Sequence, residues 1–357
     1  MNILFLNSAK RGWGGNEKWT RMATIALSQK NRVFFAYRDH LIGERFPVQK
    51  FRLPFLAEID PITIAKLMAI IRKEKIDILV PTKRKDYVLA GIAAKLGGAS
   101  SIMRLGIDRP IKNTFVHRLV YDWLTDGIIV NAEKIRNTPL QAPWLPTKKV
   151  RVIYNGLDRE ELDNGARQPW PKPFPFTLSA VGSLTPRKGY DYLIRSFATF
   201  LSQAPNAEAG LVIAGDGLER HPLESLARKL GIADRVRFEG FQVNPYPIMK
   251  GSDVFVSASQ SEGLSNALIE SMYLGCVPVS TRSGGADEII RNGENGILLN
   301  YGDESQMAAA IMQLYRNPDL RETLALQAEK NAREQFSMAE MERSLIEFFT
   351  DTLSNKK

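Results

Sequence analysis

Short apolar runs recur along the chain with room for a helix between each pair. In the first half they are Ile3–Leu6, Val33–Ala36, Ile76–Val80, Ser101–Arg104, Ile128–Val130 and Val152–Tyr154, which read as buried strands. The stretches between them repeat apolar positions every three or four residues, at roughly 15–29, 61–74, 86–97, 111–124 and 131–138. That alternation predicts a doubly wound parallel sheet with helices on both faces. Four prolines within the eight residues Gln168–Pro175 can sustain neither a helix nor a central strand, so that stretch reads as a linker. The pattern then restarts, with strands at Phe176–Val181, Leu211–Ala214, Val236–Glu239, Val254–Ser257, Val277–Ser280 and Ile297–Leu299. Its helices fall at roughly 189–203, 221–230, 265–274, 285–291, 303–315 and 318–335, and a last helix runs from about Met338 to Leu353. The expected fold is α/β, with two Rossmann-like domains, about 1–165 and 166–337, facing a cleft at their strand ends.

Composition changes this picture little, and charge changes it more. Of the 357 residues, 44% are apolar and 24% charged, as in ordinary globular proteins. The one cysteine, Cys276, sits in an apolar run and reads as core; with no possible internal disulfide, a cytoplasmic location is expected. Met1–Leu6 is too short for a signal peptide, no run is long enough to span a bilayer, and three scattered histidines show no metal-ligand spacing. Residues 1–160 hold 28 Lys+Arg against 14 Asp+Glu, a net +14, whereas the remainder is net −5. A basic first half suits an anionic substrate or surface, or is simply a solvated basic face.

Four segments carry candidate chemistry. Glu262-Gly263-Leu264-Ser265-Asn266-Ala267-Leu268-Ile269-Glu270 follows the strand Val254–Ser257 and opens a mostly apolar helix. Glu262 then lies on the turn at the strand's end, and Glu270 about 12 Å further along. Gly263 permits close approach of a ligand, Ser265 is a candidate N-cap, and the first-turn amides favour an anion. On spacing alone such an acid pair is ordinary surface; its place after a strand in an α/β pattern argues for a site. Gly12-Trp13-Gly14-Gly15-Asn16-Glu17 follows the first strand and opens a helix, as a phosphate turn or a plain flexible one. Val181-Gly182-Ser183-Leu184-Thr185-Pro186-Arg187-Lys188-Gly189 puts two adjacent cations after a strand, for a phosphate or for solvent. Gly240-Phe241-Gln242-Val243-Asn244-Pro245-Tyr246 follows another strand and offers an aromatic edge and backbone groups to a base.

Taken in this order, with the trailing Gly-Gly-Ala-Asp-Glu-Ile-Ile at 284–290, these segments resemble the retaining glycosyltransferases of family 4, which have the GT-B fold. The resemblance covers nearly the whole chain and is closest to members from lipopolysaccharide and capsule pathways. It implies a nucleoside-diphosphate sugar (UDP, GDP or ADP) bound mostly by the second domain and an acceptor bound mostly by the first. It also implies that residues 338–357 pack back onto the first domain. Arg187 and Lys188 would hold the diphosphate, Glu270 the ribose, and Glu262 would face the transferred sugar. The amides of Gly263, Leu264, Ser265 and Asn266 would hold sugar and phosphate oxygens, with Gly182 beside them. Gly14 and Gly15 would close on the diphosphate, and Phe241, Gln242 and Asn244 would flank the base. Many relatives carry a His after the strand equivalent to Ser101–Arg104; here Arg104 stands nearby and is expected, from a loop, to meet an anionic acceptor or a phosphate.

The expected activity is a retaining transfer of a hexosyl-type sugar to a cell-surface glycan or lipid-linked acceptor, with no metal or other cofactor: no Asp-x-Asp occurs in the chain. Lys83, Arg84, Lys85, Arg109, Lys112 and Arg118 would meet acceptor phosphates or an anionic membrane surface, placing the enzyme peripherally on the inner face. A sugar-nucleotide epimerase of the same architecture needs proton-transfer groups at the sugar, and only Glu262 is well placed. The Gly-x-Gly-x-x-Gly fingerprint of an NAD oxidoreductase is missing from both halves. A basic non-enzymatic binding protein is the remaining alternative, and nucleic acid is not an expected partner, because basic and aromatic residues are not interleaved.

Overall fold

A computed structural model describes residues 1–10, 13–107 and 110–356. The chain forms two compact units, one of Met1–Gly156 with Ser337–Lys357 and one of Leu157–Phe336. Each is a parallel sheet layered between helices.

The first unit holds β1 (Asn2–Asn7), β2 (Arg32–Tyr37), β3 (Gln49–Arg52), β4 (Ile78–Pro81), β5 (Ser100–Leu105), β6 (Gly127–Val130) and β7 (Val150–Val152), in the order β3-β2-β1-β4-β5-β6-β7. Period-two alternation divides each strand between two cores. Ile3, Phe5, Val33, Phe35, Ile78 and Val80 pack with Trp19, Met22 and Ala23 of the helix Gly15–Ser28 and with Met341, Leu345, Phe348 and Phe349 of the helix Met338–Ser354. Leu4, Leu6, Phe34, Ala36 and Leu79 pack on the other face with Leu67 and Ile71 of Pro61–Glu74 and with Leu89, Ala90 and Ala93 of Arg84–Gly97. The helix Met338–Ser354 thus completes a core whose first strand, Asn2–Asn7, lies at the opposite end of the sequence.

The second unit holds β8 (Phe176–Val181), β9 (Ala209–Ala214), β10 (Val236–Gly240), β11 (Val254–Ser257), β12 (Val277–Thr281) and β13 (Ile297–Leu299), in the order β10-β9-β8-β11-β12-β13. Leu178, Ala180, Leu211, Ile213, Val254, Val256, Val277 and Val279 meet Leu193, Phe197 and Phe200 of Tyr190–Gln203 and Met307, Ile311 and Leu314 of Glu304–Arg316. Phe255 faces the other way, onto Leu268, Ile269 and Met272 of Asn266–Tyr273 and Ala328 and Ala332 of Pro318–Gln335.

Several expectations need correcting. The Pro-rich stretch is packed inside the second unit: the Trp170 ring lies over Gly251, and Phe174 fills the space a side chain at Gly210 would need. Its aromatics, not its prolines, decide its place; the chain crosses between units at Gly156/Leu157 and Phe336/Ser337 instead. The edge strand β3 was not legible, because its sequence Gln-Lys-Phe-Arg is largely solvated and lacks an apolar run. Helix starts only at Phe115, where Thr114 accepts from His117 N, and passes into a π-helix at Leu119–Trp123. His117 Nδ1 accepts from Lys112 N at 2.8 Å. Ile76 belongs to the turn before β4, its N–H donating to Ile71 O. Among the described residues no helix is long and apolar enough to cross a membrane.

Candidate functional site

In the second unit, the ends of β8 and β11 bring Arg187, Lys188 and Glu262 together. Glu262 Oε1 accepts from Arg187 Nη1 at 3.1 Å, from Ser259 Oγ at 3.1 Å, and from Lys188 Nζ. Burial would raise the Glu262 carboxyl, but the Lys188 and Arg187 charges beside it outweigh that and hold it below the usual glutamate value. The cluster is locked from below. Arg187 Nη1 also donates to Ser261 O (3.0 Å), and Gln260 N donates to Arg187 O (2.8 Å), stitching the two loops together. Gly189 takes φ +64° at the foot of the Arg-Lys turn, where a side chain would overlap Ala258 O. Gly182 lies beside the Lys188 stem, and its carbonyl accepts from the buried Tyr190 hydroxyl at 3.1 Å. Burial, and then the charge of Glu262, raise the Tyr190 phenol far above its ordinary value, so it stays a neutral donor.

Ser265 caps Asn266–Tyr273 as expected, accepting from Leu268 N. That helix therefore begins only four residues after Glu262, from Asn266 onward. Gly263 O accepts from Gly285 N at 3.0 Å, so the Gly284-Gly285 turn braces the segment from behind. Glu270 is buried on this helix; its charge, after burial, is the next cause raising the Tyr246 phenol, whose hydroxyl donates to Glu161 Oε1 at 3.0 Å. In the Gly240–Tyr246 loop, Phe241 is 54% exposed, whereas two polar side chains are engaged locally. Gln242 Nε2 donates to Glu239 O, and Asn244 Nδ2 donates to Gly165 O and Gln168 Oε1. Asn244 thus shapes the turn into Tyr246–Lys250. Sequence reasoning did not pick out Ser259 or Tyr190, and it placed Tyr246 in the base-flanking loop without its bond to Glu161. The serine run Ser257-Ala258-Ser259-Gln260-Ser261 after β11 was the one available signal.

In the first unit, Gly14 and Gly15 enter the helix through a buried polar knot. Glu17 Oε2 accepts from Gly14 N (3.1 Å), and its Oε1 accepts from Asn7 Nδ2 (3.1 Å) and pairs with Lys83 Nζ (2.5 Å). Arg104 corrects an expectation. It lies within β5 rather than on a loop and is 3% exposed, its guanidinium stacked on Trp19 at 4.3 Å and bonded to Asn16 Oδ1. Burial lowers its pKa to about 10, with Tyr87 and Glu17 acting the other way. Through Asn16 it braces the turn that carries Gly14 and Gly15. Gly12 and Arg109 fall outside the described residues.

Nearby, Asp86 is fully buried, and burial raises its carboxyl to about 6 against the bonds from Ser8 and the charge of Lys83. A raised acid stabilises the fold below its unfolded value of 3.8 and loses that contribution as pH rises through about 6. Urea titrations from pH 4 to pH 7 are therefore expected to show stability falling more steeply in the wild type than in Asp86→Asn. Parallel profiles would contradict the assignment.

Among the described residues no three His, Cys, Asp or Glu side chains are grouped as a metal ion would need. Two Rossmann-like parallel sheets, each with its loops at the strand carboxyl ends, are the architecture of the GT-B fold. The structure of Anabaena HepE in complex with UDP covers 98% of this chain and all of its own at a TM-score of 0.81 and 22% identity. Lipopolysaccharide outer core galactosyltransferase WaaB aligns over both whole chains at 0.73 and 17%. In sequence, residues 166–334 match the model of the glycosyl transferases group 1 family. The lipopolysaccharide core biosynthesis glycosyltransferase LpsE of Rhizobium meliloti is 34% identical over 280 residues, covering 76% of this chain and 75% of its own. An N-acetylgalactosaminyltransferase of Campylobacter jejuni, acting on a diphospho-undecaprenol-linked sugar, is 29% identical over 300 residues, 80% of this chain and 78% of its own. The chain belongs to the group 1 glycosyltransferase family.

Proposed function

We propose that this protein transfers a hexosyl-type sugar, with retention and without a metal ion, from a UDP-, GDP- or ADP-sugar to a cell-surface glycan or lipid-linked acceptor. The observation that carries the reading is the convergence of Arg187 and Lys188 on Glu262 at the opening of the helix Asn266–Tyr273. As the glycosidic bond breaks, negative charge grows on the departing diphosphate. Two cations held by a buried carboxylate, and a helix N-terminus, can stabilise that charge without rearranging. Arg187, the more exposed of the two, offers its remaining donors as a fork to phosphate oxygens. Glu262 faces the transferred sugar, the amides of Gly263 to Asn266 take sugar and phosphate oxygens, and Glu270 holds the ribose. Phe241 stacks beside the base, with Gln242 and Asn244 shaping its loop. In the first unit, Gly14 and Gly15 serve the diphosphate, and the acceptor is taken by the basic surface. The names of the lipopolysaccharide-core and diphospho-undecaprenol relatives support an acceptor of the cell-surface class. An anionic membrane would be a natural neighbour for a unit so basic.

A thermal-shift screen of UDP-, GDP- and ADP-sugars tests the donor: one is expected to raise Tm in proportion to the logarithm of its concentration. Glu270→Ala should then weaken donor binding with kcat nearly kept, while Glu262→Ala should lower kcat more than affinity. Wild-type transfer by both variants would refute the assignment, and donor hydrolysis or epimerisation without any acceptor would point to another reaction.

A further inference from the structure

The strand order of the first unit turns round between β1 and β4. The helix after β1 packs on one face of the sheet and the helix after β4 on the other, so a crevice opens at the two strand ends. It is an open cavity of about 680 Å³ lined by Ser8, Ala9 and Lys10 from one side and Lys83, Arg84 and Lys85 from the other. That volume falls within the roughly 300–1,000 Å³ of small-molecule sites and exceeds what a single ion needs. Lys10, Arg84 and Lys85 are exposed and form no ion pair among the described residues. The two acids behind them do not line it. Glu17 is bonded to Gly14, Asn7 and Lys83, and Asp86 accepts from Ser8 N at 3.1 Å. The fourteen-residue helix Arg84–Gly97 begins here without a side-chain cap, adding its positive end to the same space.

We infer that this crevice is an anion site that takes a phosphate ester or diphosphate of the acceptor, held by Lys10, Lys83, Arg84 and Lys85. Three unpaired cations from two loops, with Lys83 beside them in its pair with Glu17, suit a group of two or more negative charges better than a lone carboxylate. The inference rests on the reading that the first unit takes the acceptor. The group can belong to a lipid-linked diphosphate or to a phosphorylated soluble glycan.

The experiment is equilibrium dialysis of radiolabelled inorganic pyrophosphate against the full chain. It compares the wild type, a Lys10→Gln/Arg84→Gln/Lys85→Gln variant, and an Arg187→Gln/Lys188→Gln variant. Lys83 is left intact because Glu17 depends on it, and the three changed side chains are exposed, so Tm should not move. The wild type is expected to show two classes of site. The triple variant weakens one class about ten-fold or more, and the double variant weakens the other. Co-sedimentation with phosphatidylcholine vesicles carrying a polyprenyl diphosphate separates the sources. Retention lost in the triple variant identifies the lipid-linked group, and pyrophosphate binding without retention identifies the soluble one. Wild-type pyrophosphate binding by the triple variant overturns the inference while leaving the donor site standing. Unchanged binding by the double variant would instead overturn the donor site and leave the crevice.

Discussion

Replacing Lys188 by Met is expected to lower kcat for sugar transfer by about 10²- to 10³-fold, with a smaller change in donor KM. The Lys188 side chain is 15% exposed against 40% for Arg187, so its charge is the less screened by water and acts more strongly on the leaving group. Met keeps the stem that packs beside Gly182 and removes only the ammonium. Glu262 would keep Arg187 and Ser259 as partners, so the fold should survive with a loss of about 1–3 kcal/mol. Arg187→Met should cost less in kcat. Steady-state kinetics at saturating acceptor decide the matter: equal kcat in wild type and Lys188→Met would remove Lys188 from the reaction.

Gly284→Ala is expected to damage the same site from behind. Gly284 has φ +56°, and a Cβ there would overlap the carbonyl oxygens of Gly263 and Glu262. Relief requires the Glu262 turn to move, carrying the carboxylate away from Arg187 and Lys188. The backbone strain alone costs about 1 kcal/mol, and the displacement should add to it. Gly293→Ala is the matched control, since Gly293 has φ +82° with nothing within 4 Å of an added Cβ. We expect Gly293→Ala to lose about 1 kcal/mol and keep activity, and Gly284→Ala to lose two or three times as much and nearly all transfer. Equal stability and activity in the two variants would show that the turn does not brace the site.

The layered architecture was legible because each buried strand is a short apolar run and each helix repeats apolar positions along one face. Where exposure breaks that rule, so did the reading: β3 is a polar edge, and the helix expected from 111 begins only at Phe115. Proline misled in the opposite direction, because Gln168–Pro175 is irregular in backbone yet anchored by Trp170 and Phe174. Arg104 looked like a loop cation, but alternation along β5 turns it inward, onto Trp19 and Asn16.

By itself the sequence determined the two α/β halves and the loops that bear glycines, acids and cations after strands, because these depend on residues adjacent in the chain. It could not say that Ser259 and Lys188 share one carboxylate, that Gly284 props the turn carrying it, or that Lys10 and Lys83–Lys85 line one crevice. Those are decided by which strands become neighbours. Strand order follows from the packing of whole helices on both faces of a sheet, and periodicity within any one segment carries no record of it.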